Sequence, residues 1–197
     1  MKTQYTEVQL DALRELANIG SGNSATALSQ MVGRPIDVSA PTAFALPIGE
    51  AAEAIGSPET PVTAVLVPVC GDLDAVVLLL FQPDAAATLC RLLGVEPGTE
   101  LGVSALGEIG NVLGTNYISA LGTMTGLAIE PRPPQTVADM LGAVLSSAVI
   151  GVDETRDIAL LLDSELATDG EECALSFLLI PSEGGVAELL DRLGVGA

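Results

Sequence analysis

The chain repeats itself, and the repeat limits what it can fold into. Asp11, Glu15 and Asn18 are followed by Pro41, and 93 residues later Ser104, Glu108 and Asn111 are followed by Pro134. Both copies share one spacing: a short polar residue, three positions, Glu, two positions, Asn, twenty-two positions, Pro. Set against each other without gaps, residues 10–41 and 103–134 agree at eleven of thirty-two positions, including Ala12, Leu13, Glu15, Asn18, Asn23, Ala27, Leu28, Met31, Gly33, Ile36 and Pro41. The match resumes at an offset of 100, where Gly71–Gly94 aligns with Glu171–Gly194, so the second copy has gained seven residues in a middle loop. Self-similarity on this scale implies one structural unit used twice. The expectation is a single compact α/β domain over 1–197, made of two pseudo-symmetric halves, 6–95 and 99–197. The Glu96-Pro-Gly-Thr99 turn is the joint.

Each half reads as the same series of elements. A long motif-bearing helix opens it, capped by Thr6 with Gln9 in the first copy and by Thr99 with Glu100 in the second. A short strand follows, near Ile36–Ser39 and Leu127–Glu130. After the Pro-marked loop comes a short helix or turn at Gly49–Ile55 and a longer helix at Val137–Ile150. Two apolar strands come next, Val62–Val69 with Ala75–Phe81 and Ile158–Asp163 with Ala174–Ile180. A short helix closes each half, Asp84–Leu93 and Val186–Leu193, with a terminal glycine. Strands this apolar predict a sheet covered by helices.

On an α-helix, positions i, i+4 and i+7 fall at about 0°, 40° and −20°. Asp11, Glu15 and Asn18 therefore share one stripe, as do Ser104, Glu108 and Asn111. Leu13, Ala17, Gly20, Ser24, Ala27 and Met31 cluster on the opposite side at about 160–220°, with Leu106, Gly110, Leu113, Tyr117, Ala120 and Met124 in the second copy. That side is the expected core face, which leaves Glu15, Asn18, Glu108 and Asn111 exposed. A Glu and an Asn on the wet face of one helix are ordinary. Their retention in both copies is not, because neighbours expected to share the exposure have drifted: Arg14 stands opposite Gly107, and Ser21 opposite Gly114. Asn23 and Asn116 also match, but they lie about 140° from the stripe's Asn. They read as structural, hydrogen-bonding a neighbouring helix or loop.

Composition closes off much conventional chemistry. The chain has no His, which excludes Ser–His and Cys–His nucleophiles and His-ligated zinc. Cys70, Cys90 and Cys173 stand singly in apolar surroundings without CxxC spacing, and read as buried free thiols in a reducing compartment. The formal charge of −19 disfavours nucleic acid and anionic membranes. Lysine scarcity beside abundant Ala, Val, Gly and Thr fits a salt-adapted source, where solution ions screen such a charge. The polar Met1–Asp11 stretch has no apolar signal region. Ile109–Ile129 is uncharged and carries GxxxG pairs at Gly110, Gly114, Gly122 and Gly126. Its Asn, Ser and Thr content, and the polar matching segment Ile19–Val32, favour close packing of two small-residue helices in a core over a membrane span.

Asp/Ser-x3-Glu-x2-Asn-x22-Pro is the pattern of the CheC/CheX/FliY family of chemotaxis phosphatases, which this sequence resembles through its whole length. ANIGSGNSATALS and EIGNVLGTNYISALG are similar to the family's two motif helices; VPVCGDLDAVVLLLF and PPQTVADMLG extend the likeness. Two complete motifs in one chain point to the CheC branch, since the CheX branch carries one and pairs as a dimer. The resemblance implies hydrolysis of the aspartyl phosphate on the response regulator CheY. Asn18 and Asn111 would hold the attacking water, and Glu15 and Glu108 would pair with the regulator's lysine. Asp11 and Ser104 would support the helix surface or docking, and Pro41 and Pro134 would fix the loop after the short strand. No metal or cofactor of its own is expected, because Mg²⁺ belongs to CheY. The resemblance also implies a cytoplasmic monomer and a second partner, the receptor deamidase CheD, with the exposed part of the Val137–Ile150 helix as its candidate surface. Two other readings stay open: a non-catalytic adaptor for CheD or CheY, and a flagellar-switch module of the same architecture.

Overall fold

A computed structural model describes residues 5–39, 42–150, 158–168 and 171–196. Two long helices, α1 (Glu7–Val32) and α4 (Glu100–Thr125), begin and end 93 residues apart and have 26 residues each. Local signals set both ends. The Thr6 hydroxyl accepts from the Gln9 backbone N–H at 3.3 Å while the Gln9 side chain accepts from the Thr6 N–H at 2.9 Å, a complete capping box. In α4 the Thr99 hydroxyl accepts from the Gly102 N–H at 3.1 Å. Gly33 and Gly126 stop the helices in the left-handed region, at φ 73° and 70°, where a side chain would be strained.

Between and after these helices run β1 (Asp37–Val38), β2 (Thr42–Pro47), α2 (Ile48–Ile55), β3 (Pro61–Gly71), β4 (Ala75–Phe81) and α3 (Pro83–Leu92). The same order follows α4: β5 (Ile129–Pro131), β6 (Gln135–Met140), α5 (Leu141–Ile150), β7 (Ile158–Thr168), β8 (Glu171–Pro181) and α6 (Gly185–Arg192). Among the described residues the strands form one eight-stranded sheet, ordered β1-β7-β8-β4-β3-β5, with β2 also along β7 and β6 also along β3. Every pairing is antiparallel. At the centre β4 lies beside β8, and Leu78 faces Leu178, its counterpart at the offset of 100. At the rims the strands are exchanged. β1 and β2 complete the sheet beyond β7, and β5 and β6 complete it beyond β3.

Helices cover both faces. α1, α3, α4 and α6 bury Leu13, Leu89, Leu113 and Leu189 against Val77, Leu79 and Phe81; α2 and α5 bury Ala51, Ile55, Leu141 and Leu145 against Leu78 and Leu80. This is why all seven residues of β4 are buried and the strand reads as continuously apolar.

Three sequence expectations change. Val137–Met140 belongs to β6 rather than to a helix, so the surface assigned to a second partner is in part an edge strand. Val137, Met140, Leu141, Val144 and Leu145 keep a helical period across the β6–α5 junction; pairing with β3, Pro61↔Met140 to Leu66↔Gln135, overrides it for the first four residues of the Val137–Ile150 segment. β2, paired with β7, is the matching strand and is absent from the sequence reading. The α4 glycines face the sheet more than they face α1: a Cβ on Gly110 would meet Val65 at 2.5–2.8 Å, and one on Gly114 would meet Val67 at 3.0 Å. The cysteines differ among themselves. Cys90 is buried, and burial pushes its thiol pKa up; Cys70 is half-buried. Among the described residues no helix is long and apolar enough to cross a membrane.

Gly110→Val is expected to destabilise the fold by about 1–3 kcal/mol through overpacking against Val65. Gly22, mid-helix in α1 with nothing near its missing Cβ, should behave oppositely, with Gly22→Ala adding about 0.5–1 kcal/mol. Denaturant unfolding of the two variants measures both signs.

Candidate functional site

α1 and α4 pack against each other on one face of the sheet. Their crossing is fixed by one aromatic side chain. Tyr117 of α4 lies over Gly20 of α1, where any Cβ would collide with its ring; its hydroxyl hydrogen-bonds the Ser21 hydroxyl, and its ring stacks on Phe177 of β8 at 4.1 Å between centroids. Ser21 is 3% exposed, so it is a buried partner of Tyr117 rather than the exposed neighbour the sequence suggests. Its counterpart Gly114 lies against the sheet, so this drift reflects two different buried environments. The core face is otherwise as the helical period indicates, with Leu10, Leu16 and Leu28 widening it and Ala27, Met31 and Met124 at its half-buried margin.

With that face fixed, the Glu/Asn stripes point outward. Glu15, Asn18 and Glu108 are exposed; Asn111 is half-buried. Among the described residues none of these four side chains has a hydrogen-bond or ion-pair partner. Each helix thus offers a free carboxylate and a free carboxamide one turn apart, able to accept and, through the amide NH₂, to donate.

The surroundings of the two stripes differ. In α1 the Arg14 Nη1 donates to Asp11 Oδ1 at 2.5 Å, a pair with side-chain exposures of 40% and 70%. Such a pair contributes little to stability. In α4 the corresponding residues are Ser104 and Gly107, both without charge. A Cβ on Gly107 would stand 2.6 Å from Thr136 Oγ1, so β6 runs close alongside the helix next to Glu108. Pro134 is half-buried two residues before Thr136, between β5 and β6. The sequence motif therefore brings the proline's loop to the side of the α4 stripe. The close approach of Thr136 was not foreseen, and Gly107 in place of Arg14 was its signal. Pro41 lies outside the described residues. Asn23 is exposed and Asn116 half-buried, and among the described residues neither side chain bonds a neighbouring element as expected.

Two hollows stand out among the described residues, and neither is lined by a residue of the stripes. An apolar cavity of about 10 Å³ under the helix crossing is enclosed by Leu13, Tyr117, Ile118 and Phe177 among others. An open groove of about 570 Å³ lies between the start of α1 and α6, lined by Tyr5, Gln9, Glu188 and Asp191. Both hollows are away from Glu15, Asn18, Glu108 and Asn111. Among the described residues no group of three or more acidic or Cys side chains is placed to hold a metal.

A model of the CheC-like family matches residues 8–44 and 101–138, the two segments that carry the stripes. Over these two segments the chain is similar to the CheC-like family. It is 29% identical over 198 residues to the CheY-P phosphatase CheC of Bacillus subtilis, covering 95% of each chain. Its fold matches that of Thermotoga maritima FliY with a TM-score of 0.78 at 19% identity, covering 98% of both chains. The FliM middle domain of H. pylori shares the fold too, with a TM-score of 0.68 at 12% identity over 95% of this chain and 99% of that one. At such identities the likeness concerns the fold alone.

Because the Tyr117 hydroxyl meets Ser21 within the buried crossing, Tyr117→Phe should cost about 1–2 kcal/mol. Ser21→Ala should remove most of that penalty in the double variant. A double-mutant cycle by urea unfolding checks the coupling; additive losses would show that the pair does not act as a unit.

Proposed function

We propose that the chain is a phosphatase for the aspartyl phosphate of the chemotaxis regulator CheY, with one site on each stripe. The observation that carries the reading is the pair of unpartnered Glu/Asn sets on outward helix faces. A small-molecule substrate needs a concave site that surrounds it. An exposed helix face can act only on a substrate that brings its own cavity, which a folded phosphoprotein does. The full-length relationship to the CheY-P phosphatase of Bacillus subtilis supplies the partner's identity.

In this reading the regulator contributes its own Mg²⁺ and lysine, and this chain completes the site. Asn18 or Asn111 accepts a hydrogen bond from a water through the amide oxygen and holds it in line with the scissile bond. Glu15 or Glu108 pairs with the regulator's lysine and sets the register between the proteins. The water oxygen bonds to phosphorus as the phosphorus–carboxylate oxygen bond breaks. The aspartate is released as a free carboxylate, and the water's proton leaves on inorganic phosphate. Positioning one water in this way supplies on the order of 10²–10³ in rate, a few kcal/mol. Asp11, Ser104 and the proline loops support the helix surface; a cytoplasmic setting is part of the same proposal. The fold shared with the FliM middle domain does not favour this function over a structural role. The stripes do, since packing makes no use of them.

The test is the decay of labelled CheY-phosphate with substoichiometric amounts of this chain, at salt high enough to screen its charge of −19. Catalytic turnover is expected. If the two sites are equal, Asn18→Ala and Asn111→Ala each leave about half the acceleration, and the double variant leaves only the regulator's own decay. Wild-type acceleration in the folded double variant overturns the assignment. Binding without turnover by the wild-type chain replaces it with the adaptor.

A further inference from the structure

We infer that Val8 and Leu101 are apolar anchors for the phosphorylated regulator, one beside each stripe, an inference that rests on the function proposed above. They are the two most exposed large apolar side chains among the described residues, at 64% and 65%. They are also repeat equivalents, since 8 + 93 = 101. Each is the second residue of its helix, after the caps Thr6 and Thr99. Each precedes the stripe's Glu by seven positions and its Asn by ten.

On the helical wheel both lie at about 60°, next to the Glu at about 40° and on the exposed face. They stand about 10 Å along the axis from the Glu and about 15 Å from the Asn. A partner covering about 800 Å², a patch roughly 30 Å across, reaches all three residues at once. Folding does not account for them. Valine is a poor choice for an exposed helix position, and neither residue reaches the core. The identity has changed between copies, Val to Leu, but the apolar character has not. At Arg14 and Gly107, on the flank of the same stripe, the chemistry itself has changed.

Charge explains why an apolar contact is needed here. A chain of net charge −19 meets a partner carrying a phosphoryl group. The single Glu–lysine pair sits in solvent, where such pairs hold weakly and salt weakens them further. Burial of an apolar side chain is insensitive to that screening, and a well-seated anchor dominates the affinity of a small interface.

Val8→Ser combined with Leu101→Ser tests the inference, with thermal melting to confirm the fold. The dissociation constant for CheY loaded with beryllofluoride, a stand-in for the phosphoryl group, is measured at high salt, together with KM and kcat for CheY-phosphate decay. The expected result is a rise of about tenfold in both Kd and KM with kcat unchanged, and near wild-type values for the apolar exchange Val8→Leu with Leu101→Val. Unchanged Kd and KM while the wild-type chain turns over would overturn the anchors and leave the phosphatase reading standing. A wild-type chain that neither binds nor turns over CheY-phosphate overturns both. Loss of a self-associated species in sedimentation, with Kd unchanged, would mark the residues as a contact between copies of this chain and overturn the inference.

Discussion

The pairing of β4 with β8 is the constraint on which the rest of the structure depends. These strands bring the same place in the two repeats into register, Leu78 opposite Leu178, and both are buried on both sides. Such a centre imposes order on its surroundings. α1 and α4 must share one face, packed against the odd-numbered residues of β4, while α2 and α5 cover the other. The rim strands cross over, so that β2 depends on β7 and β6 on β3. Neither half can complete its own sheet. The direction in which Glu15, Asn18, Glu108 and Asn111 point is thereby set by the whole fold rather than by each helix alone.

What could be read from the sequence was whatever local chemistry decides. The Thr6–Gln9 box and the Thr99 cap placed the starts of both long helices correctly. Ala75–Phe81 gave itself away as a strand by being apolar throughout. The outward aim of the stripes followed from the helical period, and Asn111 alone departs from full exposure, on the helix that runs close beside β6. The features that were missed are tertiary. β2 and β6 hold their shape through hydrogen bonds to strands distant in sequence, and β6 runs into a helix without a break in apolar period. Ser21 is buried because Tyr117 reaches over Gly20, a contact between residues almost a hundred positions apart. Gly107 carried a signal that single-sequence reading does not decode: its missing side chain makes room for Thr136.

Function is legible at a different level from fold. The same architecture serves FliY and the FliM middle domain, so the sheet and its helices identify a scaffold. In the proposed function the two stripes carry this chain's chemistry. Among the described residues they are outward, unpartnered and apart from both hollows, which suits the proposed role of supplying two side chains to a site owned mostly by the substrate. The copies are not identical. An exposed Asp11–Arg14 pair flanks one stripe, while an uncharged Ser104–Gly107 pair with Thr136 close by flanks the other. The duplicated scaffold therefore presents one reactive pattern in two electrostatic settings.

The central claim is that both outward stripes engage a regulator. The stoichiometry of the complex with beryllofluoride-loaded CheY, measured by native mass spectrometry or by calorimetric titration at saturating regulator, addresses it most directly. Two regulators per chain are predicted, falling to one when Glu108 and Asn111 are both replaced by alanine. A complex of one regulator per chain in the wild-type protein, or one whose stoichiometry ignores that replacement, would contradict the account.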